Sequence, residues 1–448
     1  MVVVTKIGGK SQNTHEMVEE FAEGLRNKFG KEERLIVVTS AIGRTTDELL
    51  DAIKERSGIS LILDAHRERF YKSDGNEQAY RKIEDDFITL YNAYTLTPSP
   101  QLKAALLMQP ERLASFLMAN VSKKVKERKT LWIDFYDRRF PLIAAEGDTN
   151  YLSASVDPTS SKRLSVGTDV LLQKYDIFIP GFGGVSYKNG GTVTKTFGRG
   201  GSDEAAFGCG YIFGADEIWI CSDVEGIKRA IIDGNETETI PYLDIEEAEA
   251  GAFLGAKLPN QQALMPLEES YKNGWKPKVY VAHAQNLNGK KTEIGPSLDN
   301  QPAKLVAGRD IVIYYTIEGS PYDLLNLERE LVEAGIDSHR VIVGGRADIA
   351  IFGKGSDLED VDNIVKKYEK GLRVKRDTDR AIVGVVGSGM ETVPGINSRV
   401  AETLYKNGVN VFLSSDYGGS SVVSIISKGH RPKAMSSLYE ALSSIRGS

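Results

Sequence analysis

This chain of 448 residues has only two cysteines, Cys209 and Cys221, and five histidines. Two cysteines give neither a disulfide framework nor a metal-ligand spacing, so both read as small core residues. No stretch approaches the roughly 20 apolar residues of a membrane helix. The apolar start Val2-Val3-Val4 is too short for a signal peptide and reads as a buried strand. No sustained basic run is present and the net charge is -6, which argues against nucleic acid or an acidic membrane surface as the main partner. Two nucleotide fingerprints are missing as well. There is no Walker spacing Gly-x4-Gly-Lys-Ser/Thr, and no Gly-x-Gly-x-x-Gly lies between the first strand and a helix. These absences leave the expectation of a cytoplasmic enzyme. With 41% apolar residues, and a length beyond the about 250 to 300 residues one core can serve, two or three domains are expected.

What is present is an alternation of strands and amphipathic helices, the pattern of a mainly parallel sheet covered on both faces. Val18, Phe21, Ala22 and Leu25 fall at i, i+3, i+4 and i+7 of a helix, and Leu35-Ile36-Val37-Val38 supplies a fully buried strand. Residues 47–120 read as helical and charged, with His66 as a surface or packing residue. Strand-like runs return at Leu131-Trp132-Ile133, Ile177-Phe178-Ile179 and Ile218-Trp219-Ile220-Cys221. The last delivers Ser222 and Asp223 at a strand's carboxyl end, where open α/β sheets bind ligands. Beyond Leu298 a weak internal repeat takes over, in which Ile311–Tyr315 and Ala381–Val386 each lead to a helix closed by a glycine.

Two loops carry the chemistry. Lys6-Ile7-Gly8-Gly9-Lys10-Ser11 puts a lysine at a strand end beside two glycines, where a mobile cation and free N–H groups can hold phosphate oxygens. Gly198-Arg199-Gly200-Gly201-Ser202-Asp203 combines close backbone approach, a guanidinium that can fork onto a carboxylate, and an acid at the mouth of an Ala-rich helix. It is equipment for handling a carboxylate and a phosphate together.

These loops, with Ser40-Ala41-Ile42-Gly43-Arg44-Thr45-Thr46, Pro180-Gly181-Phe182-Gly183-Gly184, Ser222-Asp223-Val224-Glu225-Gly226-Ile227 and Gly255-Ala256-Lys257, occur in an order and spacing that resembles the aspartate kinase branch of the amino-acid kinase superfamily over nearly the whole chain. The resemblance implies a three-layer αβα sandwich catalytic domain at 1–300, with two βαββαβ ACT domains at 309–378 and 379–448. It implies Lys6 and Asp203 as catalytic residues, with Gly8, Gly9 and Gly183 along the phosphate path. Glu111 is implied for the substrate ammonium, Arg199 for its carboxylate, and Thr45 and Ser202 as hydroxyl donors. Ser222, Asp223 and Lys257 fall on the nucleotide side, with ATP and Mg²⁺ as cofactors and no dedicated protein metal site. Ser320, Asp337 and Asp416 are implied effector contacts, for lysine or threonine, in a homodimer joined through its ACT domains.

Without the resemblance, several of these residues have plainer readings. Glu111 after Pro110 is a good first-turn helix residue, Ser40, Thr45 and Thr46 suit helix caps, Asp223 suits a turn, and Lys257 a solvated helix end. The chain also departs from the family pattern. Lys10 replaces a small hydroxyl residue, Pro110 a glycine, and Glu204 stands where a small residue, Tyr or Thr is common. Residues Lys228–Asp233 and Leu258-Pro259-Asn260 lack the aromatic and arginine that usually attend the nucleotide. Ser320-Pro321-Tyr322-Asp323 and Ser414–Gly419 differ from the usual effector-binding segments. The expected activity is phosphorylation of L-aspartate by ATP to 4-phospho-L-aspartate, toward lysine, threonine and methionine. The alternatives are a kinase of another amino acid or small carboxylate, and a non-catalytic ACT-based sensor.

Overall fold

The computed structural model describes residues 1–446 apart from 74, 126–128, 146–150, 189–190, 199, 260–262, 265–266, 268–269, 272, 299–300, 334–335, 337, 344, 353–354, 370 and 391. The chain divides into two compact units. The first comprises 1–227, 239–245 and 257–296, the second 228–238, 246–256 and 297–448.

Unit 1 is built on an eight-stranded sheet. Its order is Tyr242–Asp244, Lys291–Gly295, Lys278–His283, β7 (Glu217–Ser222), β1 (Val2–Ile7), β2 (Arg34–Thr39), β4 (Tyr175–Pro180) and β3 (Lys129–Trp132). Pairing is parallel throughout except between Lys278–His283 and Lys291–Gly295. A parallel sheet must be covered on both faces, which is why β1 and β2 read as continuous Val/Ile runs rather than alternating ones. Helix α1 (His15–Lys28) starts at Thr14, whose hydroxyl accepts from the Met17 N–H, and buries Val18, Phe21, Ala22 and Leu25 as the periodicity requires. The helical stretch resolves into α2 (Thr45–Glu55), α3 (Ser60–Tyr71), α4 (Glu77–Leu96), α5 (Pro100–Leu107) and α6 (Gln109–Lys124). His66 is buried in α3, and burial depresses its basicity, so it packs as a neutral ring. Then follow α7 (Pro158–Leu164), α8 (Val166–Leu172), the hairpin β5 (Gly183–Lys188) with β6 (Gly191–Thr196), and α9 (Gly201–Phe213). Cys209 and Cys221 are both buried.

Strand β1 lies between β2 and β7, so the chain leaves it on one side and returns on the other. The carboxyl ends of these strands therefore open a crevice of the kind in which open α/β sheets hold ligands.

Unit 2 contains two four-stranded antiparallel sheets. One runs Ser338–Val343, Arg346–Ile351, Ile313–Glu318, Arg373–Asp377, and packs Tyr315, Ile317 and Ile349 against Leu324, Leu327, Val361 and Val365 of the helices Pro321–Glu333 and Gly355–Tyr368. The other runs Leu305–Asp310, Arg380–Val386, Ser421–Ser427, Val411–Asp416. Its outer strand Leu305–Asp310 thus comes from ahead of the first sheet, which is inserted within the second module. In the second module this strand takes the place that Arg373–Asp377 takes in the first.

Helix α10 (Ile245–Phe253) contributes its residues from Glu246 onward to this unit. The Glu247 carboxylate is fully buried, and it accepts from Lys304 Nζ at 2.8 Å and from the Ser388 N–H at 2.8 Å. Phe253 stacks on Tyr417 with ring centroids 4.3 Å apart. Removing one partner of a buried ion pair strands the other, at about 3–5 kcal/mol. Lys304→Ala is therefore expected to lower unfolding free energy by about that much, and the double variant Glu247→Leu/Lys304→Met to recover most of it. Chemical denaturation followed by circular dichroism reads both; a loss under about 1 kcal/mol in Lys304→Ala would contradict the assignment.

Candidate active site

The ends of four parallel strands are stitched into one rim. The Gly8 N–H donates to the Cys221 carbonyl, Ser40 N–H to Ile7, and Gly181 N–H to Thr39. A Cβ on Gly9 would stand 2.3 Å from the Ala41 carbonyl oxygen and 2.9 Å from that of Gly43, so only glycine lets the two loops touch. Gln12 adds a side-chain tie, its Nε2 donating to the Ser40 carbonyl at 2.6 Å. Gly183 lies beyond the end of β4, where a Cβ would meet the Lys195 carbonyl oxygen at 2.3 Å.

Two polar pairs occupy this rim, joined through consecutive residues of α9. Gly200 takes the N-cap with φ +77°, a conformation that L side chains rarely adopt, and the helix then presents Ser202 and Asp203 in its first turn. Asp203 Oδ1 lies 2.8 Å from Lys6 Nζ at the end of β1, both mostly buried. An acid in a first turn is also favoured by the helix dipole. Ser202 Oγ donates to Glu111 Oε1 at 3.0 Å. Glu111 comes from the first turn of α6, is 2% exposed, and faces the Ala41 and Gly181 N–H groups as well. Burial pushes its carboxyl up to about 8, against the lowering by Ser202, Ala41 and Lys6, so this acid is mainly neutral near pH 7.

A neighbour that the sequence reading missed holds α6 in place. Arg112 forks onto Asp134 through Nε and Nη2 at 2.8 and 2.6 Å and donates to Gln109 Oε1 at 2.6 Å. Asp134 lies just past β3, and only its position after a strand marks it in the sequence. Thr45 opens α2, buried, and its hydroxyl turns back to the Ile42 carbonyl. Ser222 closes β7, and Asp223 Oδ2 is 3.5 Å from Lys257 Nζ, both groups nearly half exposed. Lys10 is exposed in the turn Gly9–Gln12. In unit 2, Ser320 is exposed before the helix Pro321–Glu333 and Asp416 is exposed at the end of its strand. Arg199 and Asp337 lie outside the described residues.

Glu111 gives a stability test that needs no substrate. Its folded carboxyl holds a proton that the unfolded chain releases above the ordinary value of 4.5, so its burial costs stability progressively from there to about pH 8. Glu111→Gln is expected to melt above the parent by a margin that is small near pH 5 and grows toward pH 8. A margin independent of pH would exclude a neutral, desolvated Glu111.

Comparison with known proteins agrees with this architecture. The family model described as amino acid kinase family matches residues 1–281, and an ACT domain model matches 383–442. The chain is similar to the aspartokinase of Geobacillus stearothermophilus, 24% identical over 453 residues, covering 98% of this chain and 97% of that one. It is 25% identical to the chloroplastic aspartokinase 2 of Arabidopsis thaliana over 462 residues, 95% of this chain and 80% of the relative. Among solved structures, E. coli aspartokinase III in complex with aspartate and ADP superposes with a TM-score of 0.82 at 18% identity, covering 99% of this chain and 100% of that one. At that identity the likeness speaks for the fold. The family match spans more than half of the chain and coincides with the strands, glycine turns and α9 start that make the site, and the chain belongs to the amino acid kinase family.

Proposed function

We propose that this protein is an aspartate kinase, transferring the γ-phosphoryl group of ATP to the side-chain carboxylate of L-aspartate. The observation that carries the reading is the pairing of Lys6–Asp203 with Glu111–Ser202 across two successive residues of α9. One pair offers a cation for phosphate oxygens and the other an acid for an ammonium, from neighbouring positions of one helix turn. The aspartokinase relatives, and a fold neighbour solved with aspartate and ADP, support the choice of acceptor and nucleotide.

Phosphoryl transfer asks mainly for positioning and for neutralisation of oxygen charge. In this reading Lys6 bridges the β and γ phosphates, and Asp203 holds its ammonium in place. Gly8, Gly9 and Gly183 leave room for the phosphates, and Ser222, Asp223 and Lys257 attend the nucleotide. Glu111 receives the substrate ammonium, with Ser202 and Thr45 as hydroxyl neighbours and Arg199 taking its carboxylate. Asp203, the carboxylate paired with Lys6, is the residue that would help hold a magnesium ion, a hard cation suited to oxygen ligands. When bound, that ion supplies further neutralisation of phosphate charge.

The same reading places the enzyme in the cytoplasm, at the first step toward lysine, threonine and methionine, as a homodimer joined by its ACT domains. Lysine or threonine is the proposed effector, through Ser320, Asp337 and Asp416. E. coli aspartokinase III, which superposes with a TM-score of 0.74 in this form, has been solved with lysine and aspartate, which favours lysine.

A coupled ADP-release assay across amino acids and small carboxylates tests the acceptor. Aspartate is expected to give the highest kcat/KM; turnover of another carboxylate alone would replace aspartate with that acceptor, and no turnover would leave an amino-acid sensor. Lys6→Ala is expected to lower kcat by at least about a hundredfold with little change in aspartate affinity, because it removes charge stabilisation that grows in the transition state. A loss confined to KM would remove Lys6 from the catalytic role.

A further inference from the structure

Glu204 follows Asp203 in the first turn of α9, yet its carboxylate points away from the Lys6 pair. Its Oε1 accepts from the Val156 N–H at 2.9 Å. The segment 151–156 is also held at Tyr151, Leu152, Ala154 and Ser155 by backbone or hydroxyl bonds. The Thr196 N–H donates to the Tyr151 carbonyl, Thr196 Oγ1 to the Leu152 carbonyl at 2.7 Å, the Ala154 N–H to the Thr196 carbonyl, and the Ala145 N–H to the Ser155 carbonyl. Val156 itself bridges antiparallel to Ala144, with the Asp157 N–H donating to the Ile143 carbonyl, and the Glu204 carboxylate satisfies the part-buried Val156 N–H that this bridge leaves over. The Val156 side chain lies against Gly208, where a Cβ would meet its methyl groups at 3.2 and 3.3 Å, so the segment packs on α9 one turn further along.

The other end of this segment lies on the glycine turn that precedes α9. A Cβ on Gly198 would be 3.2 Å from Ser153 Oγ and 3.5 Å from the Leu152 carbonyl oxygen. Gly198 and Gly200 both have positive φ, which glycine adopts without strain, and the Gly201 N–H donates to the Gly198 carbonyl. Resting on the kinase reading above, we propose that Glu204 is a positioning residue for the amino-acid acceptor: by holding Val156 it keeps residues 151–156 against Gly198 and so fixes the turn Gly198–Gly201 and the Ser202 hydroxyl that follows it. The residue type suits the task, since a carboxylate reaches across where Thr or a small side chain would fall short. Burial also raises the Glu204 carboxyl to about 7, a cost that the Val156 N–H partly offsets.

The test compares Glu204→Ala with Glu204→Gln, whose amide oxygen still accepts from Val156. Amide hydrogen exchange on the full chain without ligands is expected to rise about tenfold in Glu204→Ala, both over 151–157 and over 197–203, and to stay at parental rates in Glu204→Gln. With substrates, Glu204→Ala is expected to raise the acceptor KM about tenfold and leave the ATP KM within about twofold, with Glu204→Gln restoring the acceptor KM. Unchanged exchange over 197–203 in Glu204→Ala would overturn the proposal, as would an equal rise in both KM values. Should the parent neither bind nor phosphorylate aspartate, the kinase reading falls, and the exchange at 197–203 still decides whether Glu204 braces the turn.

Discussion

The desolvation of one carboxyl group, Glu111, sets terms that the surrounding structure must meet. A buried acid needs polar neighbours in whichever protonation state it holds, and here they come from three different segments: the Ser202 hydroxyl of α9, which donates to it, and the nearby backbone N–H dipoles of Ala41 after β2 and Gly181 after β4. Those segments can converge only because the strand ends are tied to one another and because glycine at position 9 lets the loops meet. The Arg112–Asp134 fork then holds the first turn of α6 from behind. The site is less a set of side chains on loops than a rim of backbone whose geometry is fixed before any ligand arrives.

Lys6–Asp203 depends on the same rim. The ammonium and carboxylate are mostly removed from water, so their attraction is worth more than that of a surface pair, and each is costly to leave alone. Lys257–Asp223, at 3.5 Å and nearly half exposed, is a contrast: solvent screens it, and the attraction between the two groups is worth little.

Much of unit 1 was legible in the sequence because its signals are local. Four apolar residues at helical spacing in α1, an unbroken Val/Ile run in β2, and a lysine or serine at a strand end all report on their own neighbourhood, and each was found where the pattern put it. Glu111 shows the limit. Its sequence context, after a proline at a helix start, is that of an ordinary exposed first-turn acid, and its burial depends on loops 70 or more positions away in the chain, as Ser202 at a separation of 91 shows. Arg112, Glu204 and Lys304 were unreadable for the same reason. Their partners Asp134, Val156 and Glu247 are chosen by tertiary packing, and a charged residue in isolation looks solvated. The strand Leu305–Asp310 adds a different kind of blindness, since an apolar run announces that it pairs but not with which sheet.

That strand also imposes an order of events on synthesis. Its partner, Arg380–Val386, follows only after the whole first βαββαβ module has left the ribosome, so Leu305–Asp310 emerges as an edge with its N–H and C=O groups unclaimed. The inserted module has all six of its elements in one continuous stretch and can close on itself meanwhile. Once folded, it brings the chain on its two sides together and replaces a long flexible loop by a short one, which lowers the entropy lost when the outer strand finally pairs. Residues 228–238 and 246–256, which also belong to this unit, wait longer still. The nascent chain therefore completes its second module last and from pieces made far apart, and a destabilised inserted module would slow the assembly of the one that encloses it.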